Sequence, residues 1–192
     1  MKKRIKLIKQ KTLYEGFFKL HQFIYRHIKF DGNWSQIQQR EIFSGAQVAT
    51  VLPYDPINKQ IILLDQFRPG LINSKSDPYL KEIVAGIIDE GESPEQAARR
   101  ECMEETGCSV KKLKKILSYF PAPGSSQSYY HLFLAEVKSF KGKRILGEKN
   151  EGEDILVKSY SVKEVKLLLK RNKIINGLTL IALQYFFLNY TN

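Results

Sequence analysis

The apolar positions along the chain divide it into short strands and a few helices. "LYEGFFKLHQFIYRHI" (13–28) is rich in aromatic and β-branched residues and predicts a strand. Asp31-Gly32 then gives a hairpin turn, and "WSQIQQREIF" (34–43) alternates as a return strand. "AQVATVLPYD" (46–55) and "QIILLDQF" (60–67) predict two further strands around a turn-forming segment. "YLKEIVAGI" (79–87), "YYHLFLAEV" (129–137) and "DILVKSYS" (154–161) complete the set. A helix starts at Ser93-Pro94-Glu95-Gln96: Ser93 caps, Pro94 suits the first helical position and Gln96 closes a capping box. Gly107 ends it. A second helix runs from Ser161, with Glu164 three residues on, to about Arg171, and a third from about Leu178 to Tyr190. This order predicts an α+β chain: a small N-terminal antiparallel β-sheet over 1–45, then a main domain over 46–192. The polar, glycine-bearing stretch 139–154 is expected to be mobile.

Composition changes this picture in three places. The 192 residues, 43% hydrophobic, suit one globular domain with a small extension. "LTLIALQYFFL" (178–188) is too short to cross a bilayer and is interrupted by Gln184, so no membrane segment is expected. The net charge of +11 suggests attraction to polyanions. Six of the first eleven residues are basic; they read as a frayed, solvated terminus, with a nucleic-acid or membrane arm as the alternative. No secretory signal is visible, and Cys102 and Cys108 are expected as reduced thiols, which points to a cytoplasmic protein. His21, His27 and His131 lack metal-ligand spacing with them.

Negative charge gathers at one spot in this basic chain. From Glu101, Glu104 is at i+3 and Glu105 at i+4, so the three acids share one helix face. Like charges there repel, and the last turns of a helix disfavour anions. A divalent cation would reverse both penalties, and Mg²⁺ prefers carboxylate oxygen together with water and substrate phosphate. A solvated charged face is the alternative, with Arg99 and Arg100 offsetting the repulsion.

The spacing decides between them. Gly86, Glu92, Arg100, Glu101, Glu104, Glu105 and Gly107 fit G-x5-E-x7-R-E-U-x-E-E-x-G-U, with Cys102 and Cys108 at the apolar places U. At average residue frequencies a chance match is below about one in a million per chain. The stretch resembles the signature of the Nudix hydrolases. The resemblance implies an α/β/α sandwich with a mixed sheet, and a hydrolase of nucleoside diphosphates linked to another group that uses Mg²⁺ or Mn²⁺. It implies Glu101 and Glu105 as the main metal ligands, with Glu104 assisting catalysis and the Ala85 carbonyl pointing at the same ions. Arg100 would hold the acids by ion pairing. Glu92, Gly86 and Gly107 would be structural.

"TLYEGFF", "REIFSGAQVATVLPYD", "LLDQFRPG", "EIVAGIIDEGE", "YFPAPGSSQS" and "EGEDILV" are similar, in that order, to segments of the bacterial ADP-ribose pyrophosphatases. Pro123, fifteen residues after Cys108, matches that subgroup's proline. This resemblance implies ADP-ribose hydrolysis, with another nucleotide sugar such as GDP-mannose or ADP-glucose as the alternative and RNA 5′-end hydrolysis a more distant one. It implies Glu151 as general base on a mobile loop, Glu153 at the metal, Arg68 at the substrate phosphates and Ile87 beside the substrate. Phe17 and Phe18 match positions near the adenine, or else are hairpin core. Arg40 matches an arginine offered from the partner of a homodimer that exchanges its N-terminal sheets. The chain departs from the subgroup at Ser128, where an acid often stands, which bears on ribose recognition.

Overall fold

The computed structural model describes residues 4–148, 150 and 152–190. They form two compact units: the chain up to Gln47 with Phe120–Tyr129, and Val48–Tyr119 with the chain from Tyr130 onward.

The first unit is built on strands β1 (Ile5–Glu15), β2 (Lys19–His27) and β3 (Gln38–Phe43), an antiparallel sheet in the order β1-β2-β3. Two expectations need correcting. The basic start is not frayed: from Ile5 it is a strand, in register with β2 from Ile5 opposite His27 to Glu15 opposite Lys19. Its lysines stay in water while its backbone pairs, a combination that charge counting along the sequence misses. Nor is 13–28 one strand. The chain reverses at Gly16, whose N–H donates to the Phe18 carbonyl (3.1 Å), so two strands arise from one aromatic run. The Asp31-Gly32 turn forms as expected. Asp31 Oδ1 accepts from the Asn33 N–H (2.9 Å), and Gly32 takes a left-handed φ of 85° that disfavours a side chain.

The second unit carries β4 (Gln47–Asp55), β5 (Gln60–Phe67), β6 (Tyr79–Glu82), β7 (Val84–Ile87), β8 (Lys112–Tyr119), β9 (Tyr129–Glu136), β10 (Lys143–Leu146) and β11 (Ile155–Ser161). Among the described residues these eight form one sheet in the order β10-β11-β5-β4-β9-β8, with β6 on β5 and β7 on β4. The rungs Tyr129 N–H to Ala46 O and Val137 N–H to Tyr54 O advance in the same sense, so β4 and β9 are parallel and the sheet is mixed. The expected strand 79–87 is two strands, because the chain leaves Leu64 opposite Glu82 and joins Val51 opposite Val84. Strand β8 was not expected, and 139–154, expected to be mobile, contains β10. Both lie at the ends of the sheet, where exposed basic side chains blur the apolar alternation.

Three helices complete the unit: α1 (Pro94–Thr106), α2 (Val162–Lys170) and α3 (Gly177–Tyr190). Small buried residues of α1, Ala97, Ala98 and Cys102, pack on Ala49, Val51, Ile62, Leu64, Phe133 and Val157 on one face of the sheet. On the other face Val165 of α2 and Ala182, Leu183 and Phe186 of α3 pack on Leu52, Ile61, Leu63 and Leu132. This is the expected α/β/α layering. Period-two strands place alternate residues in the two cores, as Ile61 and Ile62 show. No helix among the described residues is long and apolar enough to cross a membrane.

Candidate active site

Helix α1 is fixed at both ends by local chemistry. Ser93 Oγ accepts from the Gln96 N–H (3.2 Å) while Gln96 Oε1 accepts from the Ser93 N–H (2.8 Å), the capping box the sequence predicts. Gly107 closes the helix at φ 66°, donating its N–H to the Met103 carbonyl (2.7 Å). Arg144 of β10 sends Nη1 to the Thr106 and Gly107 carbonyls (3.3 and 3.4 Å), putting a cation where the helix dipole is negative.

The acids of the helix divide by burial. Glu104 is exposed, Glu101 is half-buried and Glu105 is 3% exposed. Glu105 Oε2 accepts from the Ala85 N–H (3.2 Å), which joins the helix to β7. Burial pushes the Glu105 carboxyl well above the usual carboxylate range, and repulsion from Glu101 and Glu153 adds to it; the Ala85 N–H and Arg68 act the other way. Glu101 is raised by burial too, against the pull of Arg100. A Cβ built on Gly86 would overlap the Glu101 carboxylate, so glycine is required where the acid lies across β7.

Arg100 organises the cluster. Its Nε and Nη2 donate to Glu92 (3.1 and 2.9 Å), its Nη1 to Glu101 (2.6 Å) and Glu104 (3.0 Å), and its Nη2 to the Ile87 carbonyl (3.1 Å). Glu92 therefore serves as an anchor for Arg100. Arg100 pairs with Glu101 and Glu104, and among the described residues no three acids are placed closely enough to form a metal nest. The donor set is nonetheless that of a hard divalent cation: oxygen only, with buried Glu105 repelled by two other acids and only partly compensated by Arg68.

Glu153 precedes β11 and Arg68 follows β5. Glu153 Oε2 accepts from the Glu148 N–H (3.1 Å), and its own N–H donates to the Glu148 carbonyl (3.2 Å), closing the loop after β10. Gly147, at φ 115°, leaves room for Glu153 Cβ. Glu151 lies outside the described residues. Arg68 chelates Glu82 through Nε and Nη2 while sensing Glu105 and Glu153.

The fold thus brings together Ala85, Gly86, Ile87, Glu92, Arg100, Glu101, Glu104, Glu105, Arg68 and Glu153 within the second unit. Phe17, Phe18 and Arg40 belong to the first. Phe17 and Phe18 stand at the β1–β2 turn, ring centroids 4.8 Å apart and edge to face, and both are exposed rather than hairpin core. Arg40 on β3 donates to the Gln39 carbonyl and to Gln38 Oε1 (2.7 and 3.1 Å). Sequence reasoning missed Glu82. The one signal for it was an acid inside the otherwise apolar "EIVAG" beside the box.

A sheet between helix layers, with carboxylates of one helix set against a glycine-bearing strand, fits a hydrolase of phosphoanhydrides. The particular family follows from the chain itself: residues 46–179 match the NUDIX domain, and the chain belongs to the Nudix hydrolase family. It is 37% identical over 189 residues to the ADP-ribose pyrophosphatase of Escherichia coli K12, covering 98% of this chain and 90% of that one. Identity to the ADP-ribose pyrophosphatase of Haemophilus influenzae is 38% over 189 residues, covering 97% and 87%. The GDP-mannose pyrophosphatase of Yersinia enterocolitica is 33% identical over 188 residues, covering 96% of each. A solved ADP compounds hydrolase shares the fold, with TM-score 0.72, 17% identity, and coverage of 95% and 92%.

Proposed function

We propose that the protein hydrolyses the diphosphate bond of ADP-ribose to AMP and ribose 5-phosphate. The observation that carries the chemistry is buried Glu105, held by the Ala85 N–H and repelled by Glu101 and Glu153 with only partial compensation from Arg68. The substrate choice rests on greater similarity to ADP-ribose pyrophosphatases, at 37 and 38% identity, than to a GDP-mannose pyrophosphatase at 33%.

Glu101, Glu105 and Glu153, with the Ala85 carbonyl and help from Glu104, would hold Mg²⁺ or Mn²⁺. Such ions, when bound, neutralise the diphosphate and acidify a coordinated water. Arg100 keeps Glu101 and Glu104 in place between turnovers through the hydrogen bonds described above. Arg68 presents a guanidinium to the phosphates, and Ile87 packs beside the substrate. Glu151 takes the proton of the attacking water as its oxygen joins one phosphorus and the bridging P–O bond breaks. Phe17 and Phe18, both exposed, stack on the adenine.

The working form is a cytoplasmic homodimer in which N-terminal sheets are exchanged and Arg40 is offered to the partner's substrate. The exposed apolar residues Ile5, Leu7, Ile8 and Leu13 of β1 support this, since an uncovered strand of that kind asks for a partner. The net charge of +11 assists capture of an anionic substrate.

The deciding measurement is product release from ADP-ribose, GDP-mannose, ADP-glucose and 5′-triphosphorylated RNA with Mg²⁺ or Mn²⁺. ADP-ribose is expected to lead in kcat/KM by at least about tenfold. A higher value for any other compound replaces it as the substrate.

A further inference from the structure

We propose that Glu82 is a positioning residue: a buried carboxylate that, with Asn176, fixes one edge of the Arg68 guanidinium so that the other edge faces the substrate diphosphate. The inference rests on the proposed reading of Arg68 as a phosphate contact, and it adds two residues to that reading.

Glu82 ends β6 and is 0% exposed. A buried carboxylate needs partners, and it has three donors from two residues. Arg68 Nε lies 3.0 Å from both of its oxygens, and Arg68 Nη2 donates to Oε2. Asn176 Nδ2 donates to Oε1 (2.9 Å). Asn176 is itself tied down, since its Oδ1 accepts from the Thr179 N–H and Oγ1 (both 3.1 Å) at the start of α3. Thr179 Oγ1 in turn accepts from the Ile83 N–H (3.1 Å), beside Glu82 on the chain. The carboxylate is therefore held from strand and helix together.

The geometry of the fork matters. Glu82 uses the Nε–Nη2 edge. Among the described residues Nη1 donates to nothing, and the Arg68 side chain keeps 38% of its surface exposed. An arginine with one edge chelated keeps its remaining Nη protons in a fixed plane, the arrangement that suits bidentate recognition of phosphate. Structural bracing alone would be met by burying the whole guanidinium. Glu105 and Glu153 both act electrostatically on Arg68, so the braced cation stands in the field of the acids.

Glu82→Gln, Arg68→Ala and the double variant test this. Glutamine preserves the shape but turns an amide donor toward the arginine donors. Two readouts are taken on the full chain: kcat and KM for ADP-ribose, and calorimetric affinity for magnesium pyrophosphate, which needs no assumption about the sugar. Each single variant is expected to weaken pyrophosphate binding about tenfold, with ADP-ribose KM rising by a similar factor and kcat less affected. The double variant should be no worse than Arg68→Ala, because Glu82 acts through Arg68. A further tenfold loss in the double variant, Glu82→Gln binding within twofold of the unaltered protein, or no pyrophosphate binding by the unaltered protein overturns the inference. Should Glu82→Gln not fold, Asn176→Ser decides. Serine still caps α3 but is too short to reach Glu82, and a threefold or greater loss of pyrophosphate affinity is expected. An unaltered protein that binds pyrophosphate yet leaves ADP-ribose intact removes the proposed substrate and leaves this inference standing.

Discussion

Gly86 and Glu101 share one space: a methyl group on Gly86 would fall on the Glu101 carboxylate. The obstructed atoms are the far end of a flexible side chain, so Gly86→Ala should fold. The acid must then swing away from β7 and from its 2.6 Å contact with Arg100. Mg²⁺-dependent turnover is expected to fall by at least about 100-fold, while stability changes by less than about 1.5 kcal/mol. Parallel thermal melts and initial rates check this. A variant as active as the unaltered protein would show that Glu101 does not need its present position.

Arg100→Met removes the donor shared by Glu92, Glu101, Glu104 and the Ile87 carbonyl. The acids then repel without compensation. Turnover should drop about 100-fold and stability by about 1–3 kcal/mol. Arg100→Lys should recover less than about a tenth of the lost activity, because a point charge cannot serve that fork of acceptors. Steady-state kinetics of the two variants side by side make the comparison.

The helix of the box was legible because its signals are local: a cap, a terminating glycine and acids at i+3 and i+4 all lie in or directly beside one helix of 13 residues. The central strands β4, β5 and β9 and the start of β11 were legible because a strand covered on both faces reads as a short, nearly continuous apolar run. Strands β1, β8 and β10 were not, since each carries lysines that water accepts, and their pairing is made by backbone the sequence does not display. Glu82 was illegible for a different reason. An acid can be buried only with partners, and here one of them, Asn176, lies 94 residues away. A single sequence shows the acid and hides the partner.

Asp55 gives a prediction about stability alone. It is 1% exposed at the end of β4. Its Oδ1 accepts from the Ile57 and Asn58 N–H groups (2.9 and 3.0 Å), and its Oδ2 from Asn58 Nδ2 and from Ser139 N–H and Oγ (2.8, 2.7 and 2.7 Å). Burial opposes the charge, but hydrogen bonds from Asn58 and Ser139 outweigh it and hold the carboxyl well below the usual range. A folded-state pKa below the unfolded value means the stabilisation is complete above about pH 4–5 and is lost as pH falls toward the folded value. Asp55→Asn should cost about 2–4 kcal/mol at pH 7, since an amide donor meets donors, and should flatten the acid limb of the stability profile. Denaturant melts of both proteins from pH 7 to pH 3 measure the slope. An unchanged slope would assign acid sensitivity to other carboxylates.

Glu105 should show function opposing stability. Its charge is buried, repelled by Glu101 and Glu153, and only partly offset by the Ala85 N–H and Arg68. A carboxyl raised in the folded state destabilises the fold whenever pH exceeds its unfolded value, so at pH 7 without metal the ionised form is a liability. Glu105→Gln removes that liability and retains an acceptor for the Ala85 N–H. Without divalent ions the variant should be more stable than the unaltered protein by about 1–2 kcal/mol. Saturating Mg²⁺ should raise the melting temperature of the unaltered protein, because a ligand that binds only the folded state stabilises it. The variant should gain little from the ion and turn over at least about 1,000-fold more slowly. Melts of both proteins in EDTA and in magnesium read all three effects. Equal stabilisation of the two by magnesium would mean that Glu105 is not where the ion is held.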